Sequence, residues 1–186
     1  MNFKQYVTSL VDLNYDKIQS RHHSEYYAAI NIGLVEELLE LGEAEGVDAS
    51  VKETGDIIAY TTLIIVSNQL GNGLHLYSND IMDSLITETS DTLSYAFNNR
   101  PSPEFPTNLA LQVASTAKRY FREAEVISDI FVANVAAMAY ENTRLNLEHR
   151  YLPQTLTVEE VLKTNIDKLR KRRQDGLLFQ GRGDNR

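Results

Sequence analysis

The chain has 186 residues, of which 42% are hydrophobic and none is cysteine, and its formal net charge is −8. These values predict one folded domain, residues 1–186, without disulfides, thiolate metal sites or cysteine nucleophiles, and the negative charge argues against nucleic-acid polymers as partners. No apolar stretch approaches the roughly 20 residues that span a bilayer, so we expect a cytoplasmic protein without a membrane segment.

Apolar residues recur at helical spacing along almost the whole chain, and no segment keeps the two-residue alternation of a strand. The helices are predicted at residues 3–18, 25–45, 48–70, 79–98, 107–121, 123–149 and 157–173. Gly46 is the expected stop of the second helix, and Thr157 with Glu160 forms a capping-box signature that opens the last one. The predicted fold class is an all-α helical bundle.

Two carboxylate pairs, Glu37-x-x-Glu40 and Glu53-x-x-Asp56, stand in the second and third helices with twelve residues between them. Residues three apart share one face of a helix. An antiparallel hairpin of these helices, residues 24–71, would therefore direct all four carboxylates into one gap. Clustered acids in apolar surroundings need a strong counter-charge, and an all-oxygen cluster suits a hard cation such as Mg²⁺. The hairpin predicts metal-dependent phosphate chemistry.

An alternative interpretation exists for one member of this set. Ser50-x-x-Glu53 also fits a capping box, in which Glu53 would cap its own helix and would not bind a metal.

Together with Glu36, the acidic pairs read Glu36-Glu37-x-x-Glu40, twelve residues, then Glu53-x-x-Asp56. This pattern resembles the MazG-like, all-α nucleoside triphosphate pyrophosphohydrolase superfamily. The resemblance implies Mg²⁺-dependent hydrolysis of a (deoxy)nucleoside triphosphate to the monophosphate and pyrophosphate, with Mn²⁺ as a substitute ion. It assigns Glu37, Glu40, Glu53 and Asp56 as metal ligands, and Glu36 as a supporting group or a water-orienting base. A dUTPase- or dCTPase-like enzyme of the same superfamily is the alternative.

The C-terminal helix and tail, residues 157–186, carry a second match to this superfamily. Asn165-x-x-Lys168 resembles its Asn-x-x-Lys helix, and Gly-Asp-Asn-Arg at 183–186 resembles a common ending. The resemblance implies that Asn165 and Lys168 bind substrate from one helix face, with Arg172 one turn further along. Three tail residues would close over the nucleotide: Arg182, Asn185 and Arg186. A solvated helix face is the alternative for the basic residues.

A faint internal repeat relates residues 107–149 to the acidic hairpin. The four acidic positions would be matched by Gln112, Ser115, Val126 and Asp129, in that order. We hypothesise a duplicated helical hairpin whose second copy has lost its metal site. Two unrelated amphipathic hairpins are the alternative.

Two other functional classes compete with the enzyme. A di-iron carboxylate bundle would need Glu-x-x-His pairs, and no histidine of this chain has a glutamate three residues before it. A helical regulatory protein that binds nucleotide without hydrolysing it is the non-enzymatic alternative. The resemblance also implies a homo-oligomer, with a dimer as the first expectation, whereas the preferred base and sugar have no signature in the sequence.

Overall fold

The structure is a computed structural model, and it describes residues 1–18, 23–70, 79–123, 127–151 and 156–176. The described residues form seven helices and no strand, which confirms the predicted all-α class. The helices are α1 Phe3–Ile18, α2 His23–Glu43, α3 Val47–Leu70, α4 Asn79–Asn98, α5 Pro106–Glu123, α6 Asp129–Tyr151 and α7 Val158–Gln174. None of them combines the length and the apolar character that crossing a membrane requires.

Helix α3 is the central element of the fold. Almost every residue from 53 to 67 is buried, because α3 packs against α2, α6 and α7 and also touches α1 and α4. A helix that is apolar on all sides is expected in such an interior position. The polar residues that α3 carries near its start are therefore held inside the bundle.

Helices α2 and α3 form the predicted hairpin and pack along their lengths. The turn between them contains Gly46 at φ +91°, a backbone conformation that residues with a Cβ rarely adopt. Near the other end of the hairpin, a Cβ placed on Gly33 would lie 2.5 Å from Cζ of Tyr60. The missing side chain of Gly33 therefore allows the Tyr60 ring to lie directly on the backbone of α2.

Helix α2 begins two residues earlier than the sequence predicts, at His23, α3 and α7 each begin within one residue of the prediction, and the starts of α5 and α6 also differ from it. Helix α5 begins at Pro106, one residue before the predicted start at Thr107, because proline is well suited to the first helical position. Helix α6 begins at Asp129, several residues later than predicted. Ile127, two residues before α6, is buried but not helical. Its apolar side chain also fits the helical spacing in the sequence, which is why the prediction included it in the helix.

The predicted second hairpin, residues 107–149, differs from the first in its packing. Helix α5 packs on α2, and α6 packs on α3 and α4, while α5 and α6 scarcely touch each other. The two helices therefore do not form a packed pair like α2 and α3. The duplication itself stays a hypothesis.

Helix α7 brings the basic C-terminal residues to the hairpin. The capping box at its start is confirmed: the Thr157 side chain accepts a hydrogen bond from the Glu160 backbone, and the Glu160 carboxylate accepts one from the Thr157 backbone. Helix α7 then packs on α1 and α3. The approach to α3 is close, since a Cβ placed on Gly55 would lie 2.9 Å from Cβ of Asn165.

Candidate metal centre

Three glutamates of the α2–α3 hairpin form a compact cluster. Glu37 and Glu40 of α2 and Glu53 of α3 each offer a carboxylate oxygen, and these oxygens lie within 4.8 Å of one another. Glu37 and Glu53 are buried, and Glu40 is half-buried. Like charges at this separation repel one another unless a cation lies between them. The all-oxygen donor set and its spacing fit a hard divalent ion such as Mg²⁺ or Mn²⁺.

Glu53 has a cationic neighbour on its own helix. Nζ of the exposed Lys52 lies 2.8 Å from Oε1 of Glu53. The capping-box alternative for Glu53 is wrong, because Ser50 lies inside α3 and its hydroxyl donates to the Gly46 carbonyl at 3.0 Å. Glu53 is thus available to the acidic cluster.

Asp56, the fourth predicted ligand, lies outside the group of three glutamates. Its Oδ1 accepts a hydrogen bond from Nδ2 of Asn165 at 2.8 Å and forms an ion pair with Nζ of Lys168. The structure therefore brings Asn165 and Lys168 to the acidic hairpin, as the sequence predicts. Their partner in this structure is a carboxylate, and contact with a phosphate stays a prediction.

Tyr6 of α1 completes this group and was not identified from the sequence. Its hydroxyl donates to Oδ1 of Asn165 at 2.9 Å. Burial, and then the charge of Asp56, raises the pKa of Tyr6 well above its ordinary value, so the hydroxyl stays protonated. No sequence signal could have found this contact, because Tyr6 belongs to an apolar stripe and its partner lies 159 residues away.

Tyr60 also lies beside the acids and is not among the predicted site residues. The residue is half-buried. Burial, followed by the charges of Glu37 and Asp56, raises the pKa of Tyr60 to about 12, although the positive charge of Arg172 lowers this pKa. A signal was present in the sequence, because Tyr60 follows Asp56 by four residues and so shares its helix face. Tyr60 places a neutral hydroxyl next to the carboxylates.

The other predicted site residues occupy different environments. Glu36 is exposed and lies outside the three-glutamate cluster; it lines a cleft between α2 and α5. Arg172 is half-buried on α7, close enough to Tyr60 to act on its pKa. The predicted tail contacts lie outside the described residues: Arg182, Asn185 and Arg186.

The described residues of the hypothetical second copy hold no comparable cluster. Gln112 and Ser115 are exposed on α5, and Val126 lies outside the described residues. Asp129, the counterpart of Asp56, accepts a hydrogen bond from Nδ2 of Asn68 at 2.7 Å. Within the described ranges, the three glutamates of the first hairpin are the only group of carboxylates and histidines spaced to hold a metal ion.

Comparisons with known proteins add no family assignment: no family model matches the chain, and neither the curated proteins nor the solved structures gave a match.

Proposed function

We propose that this protein is a Mg²⁺-dependent nucleoside triphosphate pyrophosphohydrolase that converts a (deoxy)nucleoside triphosphate to the monophosphate and pyrophosphate. Mn²⁺ is the expected substitute ion. One observation carries the proposal: the three-glutamate cluster includes Glu53, and Asp56, three residues further along α3, is bound by Lys168 and Asn165. One site thus offers carboxylates for a divalent ion together with an ammonium and an amide for phosphate oxygens.

The acidic side chains are proposed to bind the metal ion, and the basic and amide side chains to bind the phosphates. Glu37, Glu40, Glu53 and Asp56 are the proposed metal ligands, and a bound ion would offset phosphate charge and lower the pKa of a water molecule. Lys168 and Arg172 attract the polyphosphate as cations, and the Asn165 amide donates to an oxygen.

The proposed reaction is an attack of water on phosphorus. The water oxygen forms a bond to phosphorus, the anhydride bond between the α- and β-phosphates breaks, and pyrophosphate leaves. Glu36, the exposed carboxylate that precedes Glu37 in α2, is the proposed acceptor of the water proton. Tyr60, which stays protonated, can donate a hydrogen bond to Glu37 or to the substrate.

The decisive experiment incubates the full chain with Mg²⁺ and a panel of ribo- and deoxynucleoside triphosphates. We expect equal amounts of pyrophosphate and nucleoside monophosphate, and no products when EDTA removes the ion. Cleavage of dUTP or dCTP alone would assign the narrower alternative. Binding of a nucleotide without any cleavage would support the non-catalytic regulator and contradict the proposal.

We also propose that two copies of the chain associate through α2 and α5. Three large apolar side chains on these helices are exposed: Ile32 at 58%, Leu39 at 44% and Leu111 at 70%. A two-fold arrangement that packs these helices on those of a second copy would cover the three apolar side chains.

A cytoplasmic location also stays a prediction, based on the absence of cysteine.

A further inference from the structure

We propose that Tyr6 is a positioning residue that keeps the amide nitrogen of Asn165, and not its oxygen, turned toward the carboxylates. The Tyr6 hydroxyl donates to Oδ1 of Asn165 at 2.9 Å, and Nδ2 of the same amide donates to Asp56 at 2.8 Å. The two ends of an amide are an acceptor and a donor, so this pair of contacts is compatible with one orientation only.

Burial makes the orientation costly to reverse. Tyr6, Asn165 and Asp56 are all buried, so water cannot easily replace a lost partner. If the amide turned over, Oδ1 would face the Asp56 carboxylate, and the Tyr6 hydroxyl hydrogen would lose its acceptor. A buried donor without an acceptor is strongly unfavourable. The raised pKa of Tyr6 also favours this orientation of Asn165, because the hydroxyl keeps the proton that it donates to Oδ1.

Three helices fix the geometry independently of the polar contacts. Tyr6 comes from α1, Asp56 from α3 and Asn165 from α7. The side chain of Asn165 lies directly against Gly55, so the helix backbones cannot shift apart or together without disturbing this contact. The hydroxyl therefore meets an amide whose position is already set, and its donated hydrogen bond adds to the requirement of Asp56 for the amide nitrogen.

The orientation matters most when a cation is bound, and this step rests on the proposed function. A divalent ion attracts an amide oxygen as it attracts carboxylates. Because Tyr6 holds Oδ1 on the far side, Asn165 is kept out of the ligand set and remains a donor. Its N–H groups stay available to Asp56 or to a phosphate oxygen.

The test compares Tyr6→Phe with a matched control, Tyr140→Phe. The Tyr140 hydroxyl is also partly buried and donates at 2.7 Å, but to the backbone carbonyl of Leu156. Both variants lose one tyrosine hydroxyl and its hydrogen bond, so we expect similar decreases in melting temperature. Only Tyr6→Phe should affect Asn165.

The first measurement is an ¹⁵N–¹H NMR spectrum of side-chain amides in the full-length, ion-free protein, with the Asn165 pair assigned from Asn165→Ala. We expect the Asn165 signals to shift and to exchange faster with water in Tyr6→Phe and to stay unchanged in Tyr140→Phe. Unchanged Asn165 signals in Tyr6→Phe would overturn the proposal. This measurement needs no nucleotide, so it tests whether Tyr6 positions the Asn165 amide even if the wild-type protein releases no pyrophosphate.

The second measurement is the kinetics of pyrophosphate release by the Mg²⁺-loaded protein. We expect kcat to fall by about tenfold or more in Tyr6→Phe, since misplacement of a group near the reacting atoms is costly, and to change little in Tyr140→Phe. Equal decreases in both variants would show a general structural effect and contradict the specific role.

If Tyr6→Phe fails to fold, Asn165→Asp replaces it as the test. That variant keeps an acceptor for the Tyr6 hydroxyl and turns a carboxylate oxygen toward Asp56. Mg²⁺ should then raise the melting temperature by more than it does in the wild-type protein, and an equal rise would overturn the proposal.

Discussion

Lys168 and Asp56 form an ion pair between α7 and α3 in which both side chains are largely withdrawn from water, with 23% and 8% of their surfaces exposed. The ammonium neutralises the carboxylate that lies outside the three-glutamate group. Under the proposed function, an ion that binds Asp56 would release Lys168 from this pair. The released ammonium would then be free to bind a phosphate oxygen.

Replacing Lys168 with methionine should destabilise the ion-free protein. The change leaves the buried Asp56 without its cationic partner, at an expected cost of about 1–3 kcal/mol in the free energy of unfolding. Mg²⁺ should recover more stability in this variant than in the wild-type protein. Urea denaturation with and without Mg²⁺ measures both effects. Lys163→Met, an exposed change on the same helix, is the control, and equal stabilities of the two variants would refute the role of the pair.

Removing one charge from the acidic cluster should have opposite effects on ion binding and on stability. Glu40→Gln relieves repulsion among the three carboxylates, so we expect the ion-free protein to be at least as stable as the wild type. Mg²⁺ affinity, measured by titration calorimetry, should fall by about tenfold or more, because a ligand charge is lost. Glu43→Gln, an exposed change on the last turn of α2, should alter neither quantity. Retained affinity in Glu40→Gln would exclude Glu40 as a ligand.

Replacing either of two glycines of α2 with alanine should change the free energy of unfolding, in opposite directions for the two positions. In Gly33→Ala the new Cβ would overlap the Tyr60 ring, so we expect a loss of about 1–3 kcal/mol in unfolding free energy. In Gly42→Ala the new Cβ would lie 3.7 Å from Thr107, an ordinary contact, and the better helix propensity should add up to about 1 kcal/mol. Chemical denaturation decides the signs. A neutral Gly33→Ala would mean that Tyr60 does not need to lie on the α2 backbone.

Asp129 should make stability depend on pH. Burial raises the pKa of Asp129 above its ordinary value of 3.8, although hydrogen bonds from Asn68 and Gln69 oppose the shift. The folded state therefore holds more protons than the unfolded state from about pH 4 upward, and the free energy of unfolding falls as pH rises through the folded pKa. Asp129→Asn removes this dependence.

The measurement is urea denaturation of the wild-type protein and Asp129→Asn between about pH 4 and pH 7. As pH rises, the free energy of unfolding of Asp129→Asn should increase relative to that of the wild type. The exposed Asp91 of α4 lines one cleft together with Asp129. Asp91→Asn is therefore the control, because it removes a neighbouring carboxylate and leaves Asp129 in place. Parallel curves for Asp129→Asn and the wild type would refute the prediction.

Leu111→Lys should separate the proposed dimer without unfolding the subunit. Leu111 is exposed, so a charged side chain is tolerated in the monomer but would be buried unfavourably in the α2–α5 interface. Sedimentation analysis should show a wild-type dimer and a Leu111→Lys monomer. Tyr95→Lys, an exposed change on α4, should remain dimeric. A monomeric wild-type protein would contradict the proposed association.

Local patterns were sufficient to predict most helices and the acidic cluster. The bounds of α1 and α4 agree with the predicted ones, and the capping box of α7 is present. Glu37 and Glu40 meet Glu53 because residues three apart share a helix face and a short turn returns the chain. Each of these features depends on residues that are close in sequence.

The features that the sequence did not predict depend on tertiary packing. The Tyr6 contact joins the first and last helices, and no local pattern marks it. The late start of α6 is a second case. A buried Ile127 is compatible both with a helix that includes it and with a helix that begins after it, and the spacing of apolar residues is the same in both cases. The ion pair of Asp56 likewise depends on how closely α7 approaches Gly55, which helix propensity does not determine.

The close approach of α7 to α3 also has a consequence for biosynthesis. A ribosome makes the acidic hairpin before α7, and Lys168 and Asn165 emerge more than a hundred residues after Asp56. During that interval the nascent chain carries Asp56 without its cationic partner. The complete site can therefore assemble only when α7 docks, so under the proposed function a chain that stops before α7 should release no pyrophosphate.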